Sequence, residues 1–293
     1  MKVLAYLRPA DALNFFFLML LTVVTVIFGH ALDRAAYLIL LYSGLILVQA
    51  SLLRFRDSGN RLFHWTYHLV FPTISILAVF DSLEYLVHAV NPEDIDPLLI
   101  RLDHLLFGGH PTVMMEKVMT PLLTDLLQIA YSSYYFLPIT LGAVLLAGRR
   151  EEVFDRCLFL IMLCFYLSYA GYLLFPALGP RFTLDHLQHD ELQGLFLTGP
   201  LQDLLNRLEG IKRDAFPSGH TAIALTVLFL AWKFERKLFR VFLPFVAALV
   251  FSTVCLRYHY VVDVVAGAAL AVFTLLTGDA YYGWWQKRYR TDR

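Results

Sequence analysis

Ala215-Phe216-Pro217-Ser218-Gly219-His220-Thr221 closes a polar segment and opens the apolar run Ala222–Trp232. Pro217 suits a first helical turn, where its missing N–H has no partner to lose. Behind it, Ser218, Gly219 and His220 offer backbone N–H groups at a helix start, and Gly219 permits close approach of a ligand. Such a terminus attracts anions, phosphate above all. His220 is placed to exchange a proton with whatever binds. Pro-Ser-Gly-His by itself is also an ordinary way to begin a helix, so its weight depends on the rest of the chain.

The rest of the chain is apolar. Of 293 residues, 58% are hydrophobic and 16% charged, far from the balance of a soluble domain. Several runs approach the roughly 20 residues needed to cross a bilayer. The expectation is an all-α integral membrane helical bundle of about eight transmembrane helices, with interfacial amphipathic helices. The formal net charge is zero, which argues against a nucleic-acid partner. Cys157, Cys164 and Cys255 all lie in apolar runs and read as small core residues, not as a disulfide framework or a metal site. Lys2 and Arg8 precede the first run without a small-residue cleavage site, so that run reads as a retained helix.

In order, the spans are expected at Leu13–Phe28, Ala35–Leu53, Trp65–Val90, Leu122–Leu146 (kinked at Pro138), Val153–Phe175, Pro217–Trp232, Leu238–Leu256 and Tyr258–Tyr282. Asn91–Pro121 holds two short amphipathic pieces, around Ile95–Phe107 and Thr112–Met119, suited to the interface. Pro176–Phe216 is a polar loop. No repeat or linker divides the chain, so residues 1–293 read as one membrane domain.

Basic residues set the orientation. With both termini cytoplasmic, 16 of the 24 Lys and Arg residues fall inside and 8 outside. Arg181 then follows span five, His220 opens span six, and Arg257 and His259 open span eight. All fall on the outer face, at one depth.

His259 and Asp263 are four apart, a spacing that shares a helix face. Asp263 is therefore expected to accept a hydrogen bond from one ring nitrogen of His259, leaving the other nitrogen's lone pair free. A neutral imidazole so held is a nucleophile or a base. Arg181 and Arg257 make forked contacts to phosphate oxygens, and His220 faces them as a general acid. A lone His–Asp pair in a membrane helix is equally a satisfied interior contact. Two histidines, two arginines and a helix start on one side are harder to explain that way.

Gly179-Pro180-Arg181, then Pro217-Ser218-Gly219-His220, then Arg257-Tyr258-His259-Tyr260-Val261-Val262-Asp263 resemble the three-part signature of the type-2 phosphatidic acid phosphatase superfamily. The form of the third part, with Asp103-x-x-Leu106-Phe107-Gly108 and the run Tyr131–Tyr135, is most similar to its inositol phosphorylceramide synthase-like branch. The resemblance covers residues 103–267 and implies a core six-helix phosphatase-like bundle. Two departures stand out. The family's first motif is Lys-x6-Arg-Pro, but Leu174 and Phe182 occupy the Lys and Pro positions here, so Lys212 or Arg213 is the expected substitute. The third motif's Arg usually stands six before the His, at Thr253 here, and Arg257 is expected to serve from one helical turn nearer.

The resemblance implies a metal-independent lipid phosphatase or phospho-headgroup transferase that needs no cofactor. His259 attacks phosphorus and forms a phosphohistidine. Asp263 stabilises the imidazolium, and His220 protonates the leaving oxygen and then deprotonates the acceptor, water or an alcohol. Arg181, Arg257 and the Ser218–His220 backbone, Gly219 included, hold the charged oxygens. Its partner is a membrane lipid. Asp81, Glu84 and His88 share a face of span three and read either as a solvated helix end or as a headgroup pocket. A rival reading is a lipid or small-molecule transporter in which histidines relay protons; it predicts broken helices with polar groups near mid-membrane.

Overall fold

A computed structural model describes residues 7–202 and 211–289. Lys2, Arg207, Arg290 and Arg293, counted in the charge balance, lie outside the described residues, as do residues 203–210 of the Pro176–Phe216 loop. No strand occurs among the described residues. The long helices are α1 (Pro9–Ile27), α2 (Ala35–Leu52), α3 (Arg61–Val90), α4 (Asp96–Phe107), α5 (Pro121–Ala147), α6 (Glu151–Leu174), α7 (Gly219–Phe234), α8 (Arg236–Cys255) and α9 (Val261–Tyr289).

Seven of these are long and apolar enough to cross a membrane: α1, α2, α3, α5, α6, α8 and α9. The eighth expected span, α7, is apolar but has only 16 residues, a rise of about 24 Å against a hydrocarbon core of about 30 Å. The chain is an all-α integral membrane bundle. Its centre is α6, whose 18-residue apolar window is 72% buried, and α1, α3, α5, α7 and α9 all pack on it. Ile161, Phe165, Tyr169 and Leu173 recur at helical spacing along that core.

Breaks in the helices have local causes. α3 contains a π turn at Thr66–Val70, just before Pro72. α5 tightens to a 3-10 turn at Ser133–Tyr135, where the ring of Pro138 would collide with the carbonyl four residues back. Polar side chains join the helices of the amino-terminal half. Asn14 Nδ2 donates to Gln49 Oε1 at 2.8 Å, while Ser75 and the Tyr166 hydroxyl both donate to Asn14 Oδ1. Such interhelical bonds contribute about 0.6 kcal/mol each in a bilayer. Arg8 does not face solvent as its place in the charge balance implies. It is buried, its guanidinium 3.0 Å from Asp11 and 3.1 Å from Asp155.

α4 is the first expected amphipathic piece, and it lies inverted. Its polar side is buried through Asp96 and Asp103, while Leu98, Leu105, Leu106 and Phe107 are exposed. That pattern suits a helix lying on the bundle end with its apolar side against lipid. The second piece forms Pro111–Met114 and a 3-10 turn, Met115–Val118.

Candidate active site

The site forms where the end of α6, the starts of α7 and α9 and the end of α8 converge. α7 begins two residues later than the proline suggests. Ser218 is the N-cap, its Oγ accepting from Thr221 N–H at 3.3 Å, and Pro217 stands before it. The Ser218 N–H donates to the Asp263 carbonyl at 3.1 Å, so it is not open to a ligand. Gly219 and His220, the first two helical residues, have N–H groups with no acceptor inside the helix. The space beside Gly219 is not open either: the Tyr172 hydroxyl lies where a Cβ would stand.

α8 ends in a Schellman turn. Arg257 N–H donates to Val254 O at 3.0 Å and Tyr258 N–H to Thr253 O at 2.9 Å. Arg257 sits at the left-handed position of that turn, with φ 66°. It is therefore not one helical turn nearer along a helix, and its side chain leaves in another direction. Its Nη2 donates to Glu116 Oε1 at 3.1 Å and to Asp190 O at 2.7 Å.

α9 starts at Val261, not at Tyr258, so His259 precedes the helix and its spacing to Asp263 is not that of two helical residues. The expected His259–Asp263 hydrogen bond is absent for this reason. Asp263 Oδ2 is 3.6 Å from His259 Nδ1 and instead accepts the Tyr260 N–H at 2.9 Å, as the acid of a capping box does. His259 Nδ1 donates to the Ala215 carbonyl at 2.8 Å. A carbonyl only accepts, so the proton is on Nδ1 and the lone pair on Nε2. Burial pushes the His259 pKa down to about 4, with Asp214 and the Ala215 carbonyl acting against it. The ring is thus a neutral base at ordinary pH.

His220 is 5.7 Å from His259, ring centre to ring centre. It is held between Tyr131 at 4.4 Å and Tyr134 at 4.2 Å. Its Nε2 is buried without a hydrogen-bond partner among the described residues. Arg181 completes this group. Its N–H donates to the Arg257 carbonyl at 2.9 Å, and its guanidinium lies over the Tyr258 ring at 5.2 Å. Gly179 makes this approach possible, since its φ is +89° and a Cβ there would stand 2.6 Å from the Tyr258 carbonyl oxygen.

Arg181, Lys212, Asp214, Tyr258 and His259 line one small pocket. Of the expected phosphate ligands, Arg181 and Lys212 face it, whereas Arg257 and Arg213 do not. Arg213 pairs with Asp94 at 2.9 Å. The face expected as a headgroup pocket meets the same loop. Glu84 accepts the Lys212 N–H at 3.0 Å and His88 lies 3.3 Å from Asp94. Asp81 is exposed, and none of the three lines this pocket.

Four carboxylates that drew no attention as ligands hold the loops in place. Asp96 accepts the N–H groups of Leu178 and Gly179, both at 2.9 Å, and the Tyr260 hydroxyl at 2.8 Å. Asp103 accepts the first two N–H groups of α9, from Val261 at 2.9 Å and Val262 at 3.0 Å. Glu116 accepts from His189 and Asp190 as well as Arg257. The Asp190 N–H, with that of His189 and the Arg257 charge, holds its carboxyl below the usual range. Asp125 gathers the N–H groups of Leu195 through Thr198. Asp103 stands in the Asp103-x-x-Leu106-Phe107-Gly108 stretch that carried the resemblance; for Asp96, Glu116 and Asp125 the only signal was acid in otherwise apolar pieces. The tyrosines that clasp His220 belong to the Tyr131–Tyr135 run, which entered the sequence reading through the resemblance. Among the described residues, no group of three or more His, Cys, Asp or Glu is arranged to hold a metal ion.

Residues 97–277 match the PAP2 superfamily. The chain belongs to this superfamily. The match covers α4 through most of α9, while α1, α2 and α3 lie outside it. A PA-phosphatase related-family protein of Dictyostelium discoideum is 25% identical over 181 residues. That alignment takes in 54% of this chain and 32% of the relative, so most of the relative has no counterpart in the match. No solved structure matches the chain. The PAP2 region contains all three loops of the site, and it ends at residue 277, within α9.

Proposed function

We propose that the chain is a lipid phosphate phosphatase or phosphotransferase working through a phosphohistidine on His259. PAP2 membership points to phosphatase-type activity on lipid phosphates, and a membrane bundle suits a lipid substrate. The observation that carries the reading is the Nδ1–H to Ala215 carbonyl bond. It leaves the Nε2 lone pair of a neutral, buried imidazole as the nucleophile.

The steps balance without a further reactant. Nε2 attacks phosphorus as the bond to the leaving oxygen breaks, and His220 gives that oxygen a proton. His220 then removes a proton from the acceptor, whose oxygen bonds to phosphorus as the phosphorus–nitrogen bond breaks, returning the lone pair to His259 Nε2. Asp263, 3.6 Å from the ring, supports the imidazolium by charge rather than by a hydrogen bond. Arg181 and Lys212, which line the pocket, meet the negative oxygens, with the positive start of α7 behind them, as phosphoryl transfer requires. Cations and helix dipole supply that charge in place of a metal ion. Arg257 belongs to the framework in this reading.

Water as acceptor gives hydrolysis and an alcohol gives headgroup transfer. The likeness of Arg-Tyr-His-Tyr-Val-Val-Asp to the inositol phosphorylceramide synthase-like branch favours transfer. The Lys and Arg distribution favours an active face opposite the cytoplasm. The test uses purified protein in detergent with a panel of lipid phosphates, with and without chelator. Phosphate release or transfer undiminished by chelator, with an acid-labile phosphoenzyme caught by rapid quench, is the expected result. Activity lost to chelator and restored by magnesium overturns the metal-independent mechanism, and no activity on any lipid phosphate overturns the function.

A further inference from the structure

A second, larger cavity begins at the site and runs away from it between α3, α5 and α6. Asp214, His220 and Tyr172 stand at its head, and Gly142, Phe154 and Cys157 at its foot. Part of it is open to the outside, and its walls are almost wholly apolar. Tyr172 and Phe154 are 18 residues apart on one helix, a rise of about 27 Å. One leaflet supplies only about 15 Å of hydrocarbon, half the core thickness.

We propose that this cavity holds the hydrocarbon chain of the phosphorylated substrate, extended past the bilayer midplane, and that its walls select for chain length. The proposal rests on the lipid phosphate reading above. The occupant follows from continuity: His220 belongs to the catalytic group and Asp214 lines both cavities, so a molecule with its phosphate at His259 has its tail directed here. A polar occupant would lose its hydrogen bonds to water along Ile76, Ile139, Ile161 and Phe165 with nothing in exchange.

The way in is lateral. α3 meets the second half of α5 at its π turn, Thr66–Val70, which closes the foot. Nearer the site Leu77 and Ile139 line the cavity and are 45% and 36% exposed, so lipid-facing surface leads into it. One wall, Leu69 to Phe80, precedes the PAP2 region. Chain selection is thus assigned to a helix added to the catalytic bundle. The foot has little slack, since a Cβ at Gly142 would stand 3.0 Å from Leu69 Cδ1 and 3.3 Å from Phe154 Cε2.

The test compares butyl phosphate and hexadecyl phosphate in the parent, Ile76→Trp and the control Leu40→Trp, the last on the exposed side of α2. Ile76→Trp should lose about ten-fold or more in kcat/KM on hexadecyl phosphate, the scale at which a pocket reads hydrocarbon length. On butyl phosphate it should stay within about two-fold, as the control should on both. Equal loss on both substrates, or loss on neither, overturns the proposal. A parent inactive on both overturns the functional reading instead. Binding then decides separately, through hexadecyl phosphate bearing a photoreactive diazirine at its tail. Adducts on Phe154–Ile161 or Leu69–Thr73 support the chain site. Adducts confined to outward residues such as Leu40 or Leu276 overturn it.

Discussion

His259 Nδ1 is 2.8 Å from the Ala215 carbonyl oxygen and 3.6 Å from Asp263 Oδ2. The backbone before the Pro-Ser-Gly-His segment therefore sets the tautomer of the histidine from the third motif. Two stretches 44 residues apart are tied at one atom pair. The Ser218 N–H to Asp263 carbonyl bond ties them a second time.

The first prediction follows from that division of labour. His259→Ala should abolish turnover and phosphoenzyme formation while leaving a folded protein. Asp263→Asn should be milder, about 100-fold slower, because the tautomer survives and only the charge near the imidazolium is lost. Single-turnover rates of the two variants, with rapid-quench capture, check this. Equal and total inactivity of both would return the tautomer role to Asp263.

The second prediction concerns pH. With its pKa pushed down to about 4 by burial, His259 stays neutral far below the usual imidazole value of about 6.5. The acid limb of kcat/KM from the enzyme should therefore centre near 4, apart from any limb that follows the substrate phosphate's own ionisation near about 6. Between about 6.5 and 4 the unfolded chain takes up a proton that native His259 does not, so this group favours the native state above that window and the advantage falls as pH drops. Profiles for two substrates of different phosphate pKa separate the limbs. An enzyme limb near 6.5 refutes the buried neutral ring.

Much of the bundle was legible in the sequence, since apolar runs of spanning length have few alternatives in a bilayer. The convergence of Arg181, His220 and His259 was legible too, from motif order and alternation of spans. The start of α9 was not. Spacing alone cannot show whether His259 is inside a helix or just before it, and the answer depends on Asp103 reaching across from α4 to hold Val261 and Val262. Arg257 was misread for the same reason: a non-glycine residue at φ 66° is held there by tertiary partners, Glu116 and Asp190, that lie 141 and 67 residues away.

The third prediction separates the two arginines. Arg181→Ala should leave thermal stability near the parent's and slow turnover by about 30- to 1,000-fold, the scale of losing one oxyanion contact. Arg257→Ala and Glu116→Ala should each lower the melting temperature, and the double variant should be no worse than the worse single one. Thermal melts in detergent beside initial rates decide it. Parental stability of Arg257→Ala with a loss of rate equal to that of Arg181→Ala would put Arg257 on the phosphate after all.

A fourth prediction tests the cap supplied across the fold. Asp103→Ala removes the acceptor for the first two N–H groups of α9, where the helix's positive end also favours a carboxylate. The expected cost is about 0.5–2 kcal/mol, that of losing an N-cap acceptor. Asp103→Asn keeps an oxygen and should recover part of it. Hydrogen exchange at Val261–Asp263 should quicken in the alanine variant before exchange elsewhere does. Unchanged protection there would mean that Asp103 does not hold the helix start.

The last prediction is sidedness. Lys and Arg concentrate at the end of the bundle away from His259: Arg150, Arg156, Lys233, Arg236 and Lys287 all lie there, and Arg150 and Lys233 are bridged to Glu235 and Asp279. The positive-inside rule predicts a cytoplasmic position for that end, and with it a place on the other side for the loop that carries Leu195. Leu195 is half exposed in that loop. A cysteine placed there should react with an impermeant thiol reagent added to intact cells, and one placed at Arg236 should react only after the membrane is opened. The three native cysteines are buried and give little background. Labelling of the Arg236 position in intact cells, with none at Leu195, would invert the topology and place the pocket of Arg181 and His259 on the cytoplasmic face.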